Sequence, residues 1–205
     1  MSKKDIIYAL IVNIALLAII ANLLSSLQTV RKLILRERRG IKGDLFLSVI
    51  FGGLIILSTC IGINSGSYSL NTRVIGAMSA GLLGGPLVGL YSSAIGAAYV
   101  LIFSTPRVFA RGSAFATILF GLLGAGFYPY FQRGKWKYRD LFLLACFAEI
   151  CDMASLLRMT ISLEVAVDTI VDVALPMIFM NAVGIIVFIS NFNGVFVFQD
   201  IESSR

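Results

Sequence analysis

The sequence contains no histidine among its 205 residues. That absence excludes a histidine-liganded metal site, a serine–histidine hydrolytic triad and a phosphate-accepting histidine within this chain. Charge is scarce too. Only 14% of residues are Asp, Glu, Lys or Arg, against about 25% in an average soluble domain. Apolar residues fill the difference at 58%, and the mean hydropathy is +0.91. A disordered chain, a disulfide scaffold and an ordinary soluble enzyme are excluded by that balance. The three cysteines, Cys60, Cys146 and Cys151, lie in apolar stretches without a CxxC pair. They read as lipid- or core-buried thiols, and neither a metal nor another cofactor is expected. What remains is an all-α integral membrane protein.

The net charge of +6 gathers in short loops between apolar runs, the pattern of membrane topology rather than of nucleic-acid binding. A crossing helix needs about 20 mostly apolar residues. Five stretches qualify: about Ile6–Leu27, Leu45–Ile63, Ser113–Phe131, Leu141–Leu157 and Ala174–Phe192. Arg31, Lys32, Arg36, Arg38, Arg39 and Lys42 follow the first, and Arg133, Lys135, Lys137 and Arg139 follow the third. The positive-inside rule makes both loops cytoplasmic, so the N-terminus lies outside and the C-terminus inside; Lys3 and Lys4 are outweighed. Tyr128, Tyr130, Trp136 and Tyr138 read as an interfacial aromatic belt.

Between the second and third spans, the uncharged loop Asn64–Thr72 is expected outside. Val74–Phe103 is too long for one upright span at about 1.5 Å per residue and too short for two full ones. Gly84-Gly85-Pro86 interrupts it, so the stretch reads as a hairpin of two half-length or strongly tilted helices. Gly81, Gly85 and Gly89 recur every fourth residue, a spacing that lets helices approach closely. Broken helices at membrane depth are tolerated only under cover of protein or a watery cavity, and they often mark a binding site. A separate short segment, Ser162–Val173, places Glu164, Asp168 and Asp172 on one helical face.

The polar residues near these apolar spans are the candidates for function. Arg73, after Asn71, stands at the outer mouth of the broken hairpin. It is either a snorkelling arginine or a fixed fork for a carboxylate, assisted by helix N-termini. Arg107 and Arg111 lie on the same outer side, where the rule disfavours them. They suit an anion, lipid headgroups, or pairing with Glu164, Asp168 and Asp172. Glu149 and Asp152 fall inside a span and must face protein or water. Asn181 can bond across helices in the same way, and Arg158 can join Asp152 in an outer network.

Asn71–Leu90, NTRVIGAMSAGLLGGPLVGL, closely resembles the signature of the LytS/YhcK-type five-transmembrane receptor domains. Ala116–Gly126, the stretch from Ala148-Glu149 to Met153, and Ala174–Ile189 resemble the same family in the same order. The resemblance implies a bacterial inner-membrane sensor joined to a cytoplasmic histidine kinase or, in some members, a diguanylate cyclase. Some members bind small carboxylates such as pyruvate. By the family pattern, Arg73 corresponds to an arginine implicated in carboxylate recognition, and Ser113 falls near a cysteine lining that site. One departure stands out: where the family commonly has a His-Arg pair, this chain has Tyr99-Val100. Arg107 or Arg111 is the replacement available from the following loop.

The expectation is therefore one sensor domain over residues 1–192, with 193–205 beginning a linker to an effector. It would bind a small extracellular anion through Asn71, Arg73, Arg107, Arg111 and Ser113. Glu149, Asp152 and Asn181 would form an intramembrane polar network. The lipid bilayer and, through the full-length protein, a second copy of the chain are the other partners. A substrate-binding subunit of a transporter is the alternative.

Overall fold

A computed structural model describes residues 3–35, 39–65, 68–103, 110–134, 136–159 and 163–192. In chain order these form α1 (Lys3–Ser26), α2 (Gln28–Leu35), α3 (Ile41–Cys60), β1 (Ile63–Ser65), β2 (Tyr68–Leu70), α4 (Arg73–Gly84), α5 (Pro86–Phe103), α6 (Ala110–Gln132), α7 (Tyr138–Met159) and α8 (Leu163–Ser190). Four stretches, Ile7–Ser26, Ile41–Cys60, Pro86–Phe103 and Ala110–Gln132, are long and apolar enough to cross a membrane.

Three expectations change. The hairpin between residues 74 and 103 is not built from two half-helices. α4 has 12 residues, about 18 Å at the α-helical rise, whereas α5 has 18 residues and full crossing length. Gly85 adopts φ +83°, a left-handed value that ends α4 at no steric cost, and Pro86 then opens α5 with its fixed φ. The loop between α3 and α4 contains a small antiparallel ladder, with Ile63 opposite Leu70 and Ser65 opposite Tyr68. Finally, the acidic segment and the last span are one 28-residue helix, α8, with Pro176 inside it. Acids on a single face do not interrupt a helix, and proline is tolerated in membrane helices where neighbours re-satisfy the freed backbone.

α4 lies at the centre. Every residue from Arg73 to Gly84 is buried, and the helix packs against α3, α5, α6 and α8. Glycine makes that density attainable. A Cβ on Gly81 would strike the Gly121 carbonyl and the Ala125 amide; one on Gly124 would strike the Met78 carbonyl. At Gly89, an added Cβ would stand 2.7 Å from the Gly121 oxygen. The backbones of α4, α5 and α6 therefore touch directly, as small residues allow between membrane helices.

One end of the bundle is basic. Arg39 donates to the Gly84 carbonyl, its Nη2 lies 3.5 Å from the Tyr128 hydroxyl, and its Nε lies 3.3 Å from Asp44 Oδ1. This cation on the last carbonyls of α4 complements the helix dipole and ties the turn at Gly85 to α3 and α6. Arg39→Ala is expected to lower stability by about 2–3 kcal/mol, because it strands a carbonyl and a carboxylate that are largely buried. Arg39→Lys should recover part of it, having charge without the fork. Thermal unfolding in mild detergent checks both.

The same end holds the turn into α7. There Asp140 accepts from the Lys137 backbone N–H and from the Tyr130 hydroxyl, each at 3.0 Å. It thereby closes the helix start as an acidic N3 residue does in a capping box. Trp136 is not only an interfacial residue: its ring stacks on Phe131 at 4.8 Å and packs against the core.

Candidate functional site

α4 begins inside the bundle. Arg73 is its first residue and is 3% exposed, so it is not a snorkelling side chain at the surface. From the Gly85 turn, α4 rises about 16 Å to Arg73. Glu149 is a similar distance along α7 from Tyr138, and Asn181 is about 14 Å along α8 from Ser190. All three thus lie about 14–16 Å from those helix ends, inside the bundle.

A chain of contacts joins them. Asn181 Nδ2 donates to Glu149 Oε1 at 2.7 Å and lies 3.4 Å from the Asn71 carbonyl. Asn71 Oδ1 accepts the Arg73 backbone N–H at 3.3 Å, an Asx-type closure of the α4 N-terminus. The charges of Arg73 and Asp152 both act on the Glu149 carboxyl. Asn71, Thr72, Arg73, Glu149, Asp152 and Asn181 are all at most 3% exposed. Two carboxyl groups and one guanidinium thus share a water-poor interior, where uncompensated charge is costly.

Several polar atoms there have no hydrogen-bond partner among the described residues: Thr72 Oγ1, Arg73 Nε, Glu149 Oε2 and Asn181 Oδ1. Buried polar atoms are satisfied in the great majority of cases, so several orphans in one buried cluster call for an explanation. Two of the first N–H groups of α4 are already bonded, that of Arg73 to Asn71 Oδ1 and that of Ile75 to the Thr72 carbonyl, and the positive end of the helix dipole lies at Arg73.

The structure gathers the sequence candidates unevenly. Asn71, Arg73, Glu149, Asp152 and Asn181 come together, fusing what the sequence separates into a ligand site and a polar network. Ser113 is buried one turn above Thr117, whose hydroxyl bonds to its carbonyl at 2.7 Å. It stands at the α6–α7 contact, where Ser155 Oγ lies 3.4 Å from the neighbouring Gly112 carbonyl. Arg111 is exposed and does not join Arg73. Arg107 lies outside the described residues, as do residues 193–205 and the side chains of Arg158, Glu164, Asp168 and Asp172. Thr72 at the site, and Ser79 about 9 Å further along α4, are buried polar residues that sequence reasoning passed over. Both are small polar residues in an apolar run, and only the burial of α4 on every side distinguishes them.

Comparison with known proteins places this arrangement. The family described as 5TMR of 5TMR-LYT matches residues 27–194. The Sensor protein LytS of Bacillus anthracis is 28% identical over 204 residues, covering 91% of this chain and 34% of that protein. The Sensor histidine kinase/phosphatase LytS of Staphylococcus aureus is 30% identical over 205 residues, covering 88% of this chain and 34% of the relative. The chain spans about a third of the length of these curated relatives. No solved structure matches. The matched region includes the whole α4 site and every crossing helix after α1, in a multi-pass protein of the bacterial inner membrane. The chain belongs to the 5TMR-LYT family, the membrane sensor region of LytS-type histidine kinases.

Proposed function

We propose that this domain is the receptor part of a two-component sensor and that it holds a small carboxylate, pyruvate being one example, at the N-terminus of α4. The observation that carries the reading is the buried guanidinium of Arg73 at a helix start, with a free Nε–H, in a cluster that holds further unpartnered polar atoms. A carboxylate satisfies the Arg73 guanidinium at the positive end of the α4 dipole. The two basic loops put the opposite end of the bundle in the cytoplasm, with the N-terminus outside. The ligand then arrives from the β1–β2 side. Arg111, exposed at the start of α6, draws anions toward that side rather than clamping them. Residues 1–192 act as one domain. Residues 193–205 lead toward a cytoplasmic effector, a histidine kinase by family and a diguanylate cyclase as the alternative, and the full-length protein signals as a homodimer.

α4 suits the transmitting role. Its N-terminus meets the ligand, and its C-terminus is tied through Arg39 to the basic end, about 16 Å away. A ligand shifts such an equilibrium only by its differential affinity for the two arrangements. Isothermal titration of the chain in lipid nanodiscs with a panel of small carboxylates tests the reading. Saturable binding is expected, weakened at least about ten-fold in Arg73→Lys, which retains charge and loses the fork. Equal affinity in the parent and in Arg73→Lys would remove Arg73 from the site.

A further inference from the structure

We propose that the groove between α6 and α7 at the basic end of the bundle binds an anionic phospholipid, with an acyl chain laid along the groove and the phosphate set against Lys137 and Arg139. This site is separate from the one at the α4 N-terminus, and the inference does not rest on the carboxylate reading.

Helical spacing builds the walls. On α7, Asp140, Leu143, Leu144 and Phe147 recur at i, i+3, i+4 and i+7, which is one face of the helix; on α6, Phe127 and Tyr130 stand one turn apart. These six line a groove of about 400 Å³, within the range of roughly 300–1,000 Å³ for sites that take small organic molecules. Leu144 is the floor at 8% exposed, whereas Phe127, Tyr130, Leu143 and Phe147 are 41–58% exposed. The groove therefore opens on the outer side of the helix pair, where lipid lies. It follows α7 for about 10 Å from Asp140 to Phe147, room for the upper part of one acyl chain.

The two ends differ in chemistry. Around Phe147 the walls are apolar. At the other end Asp140 Oδ2 accepts from the Tyr130 hydroxyl and from the Lys137 backbone N–H, each at 3.0 Å, and Arg139 Nη2 lies 3.7 Å from Asp140 Oδ1. Those contacts fix Lys137 and Arg139 at the mouth, and Arg133 follows the last turn of α6, three residues after Tyr130. All three cations are exposed, against a single carboxylate already engaged by its own turn. Lys137 and Arg133 make no ion pair among the described residues. Surplus positive charge at the head of an aromatic-walled, apolar trough complements a phosphate at the head of an acyl chain. A soluble anion leaves the trough unused, and an uncharged lipid leaves the cations unused. A second copy of the chain pairing through the same groove would set these cations against themselves.

The chain reports on this site itself. A recess that shares Phe127, Tyr130, Asp140 and Leu144 with the groove adds Trp136, the single tryptophan. Bromine on an acyl chain quenches tryptophan at contact distance. The experiment places the intact chain in nanodiscs of equal parts phosphatidylglycerol and phosphatidylcholine, with bromine on the chains of one lipid or of the other. Brominated phosphatidylglycerol is expected to quench Trp136 at least about three-fold more than brominated phosphatidylcholine. Lys137→Gln with Arg139→Gln should bring the two lipids level. Lys32→Gln with Lys42→Gln removes the same charge from α2 and α3, which do not line the groove, and should leave the preference intact. Equal quenching by the two lipids in the parent overturns the proposal. An equal fall in both double variants also overturns it, in favour of diffuse surface attraction. Quenching by neither lipid means that the groove is closed to the bilayer, as a second copy seated on it would make it, and overturns the proposal too.

Discussion

Gly81→Val is expected to cost more than about 3 kcal/mol and to leave little folded bundle in detergent. Inserting methylenes into a well-packed core typically costs about 1–3 kcal/mol when side chains can shift. Here the atoms in the way are not side chains. The first added carbon would meet the Gly121 carbonyl and the Ala125 amide, and the whole of α6 would have to retreat from α4. Because α4 is buried along its full length, that retreat opens its contacts with α3, α5 and α8 as well. Trp136 is the chain's single tryptophan and stacks on Phe131 at 4.8 Å, so its fluorescence follows unfolding from the end of α6. Gly126→Val is the control. It sits on α6, the helix that Gly81 packs against, with nothing within 4 Å of an added Cβ, and its effect should stay below about 1 kcal/mol. Equal losses at the two positions would show that the glycines set helix propensity rather than the approach of the backbones.

The contrast between these glycines also shows what the sequence reveals and what it conceals. Spacing of four makes Gly81, Gly85 and Gly89 look alike, yet Gly85 is the turn at φ +83° while Gly81 and Gly89 are contact points. Three of the expected spans, those of α1, α3 and α6, were legible because hydropathy and length are local properties, and the break at Gly84-Gly85-Pro86 was legible because backbone chemistry is local too. Helix depth is not local. Arg73 follows a polar loop and reads as a residue at the membrane surface, but α4 starts mid-bundle, so the arginine lies beside Glu149 and Asn181 from helices far along the chain. The two sets of polar residues therefore looked separate, although they form one cluster. The acidic run Glu164, Asp168 and Asp172 misled in the other direction: a polar face suggested a short separate segment where the helix simply continues into α8.

Arg73→Met should destabilise the ligand-free domain by about 3–5 kcal/mol, the usual cost of removing one partner from a buried charge network. Glu149 and Asp152 would then share the interior without the guanidinium that acts on Glu149. Glu149→Gln added to Arg73→Met should restore a large part of that loss. It takes away a carboxyl left without its cation while keeping a polar group of the same shape opposite Asn181. The sign of this rescue decides how the site is organised. A double variant clearly more stable than Arg73→Met means that Arg73 and Glu149 are coupled in the empty domain, as residues acting together are. A ligand carboxylate must then compete with Glu149 for the guanidinium, and the resulting exchange of partners is a means for α4 to sense occupancy. A double variant no more stable than the single one means that Arg73 faces the ligand position rather than Glu149. Binding would then satisfy the arginine without disturbing α7, and the signal would have to travel through α4 alone. Chemical or thermal unfolding of the four chains, followed through Trp136 without added ligand, completes the cycle.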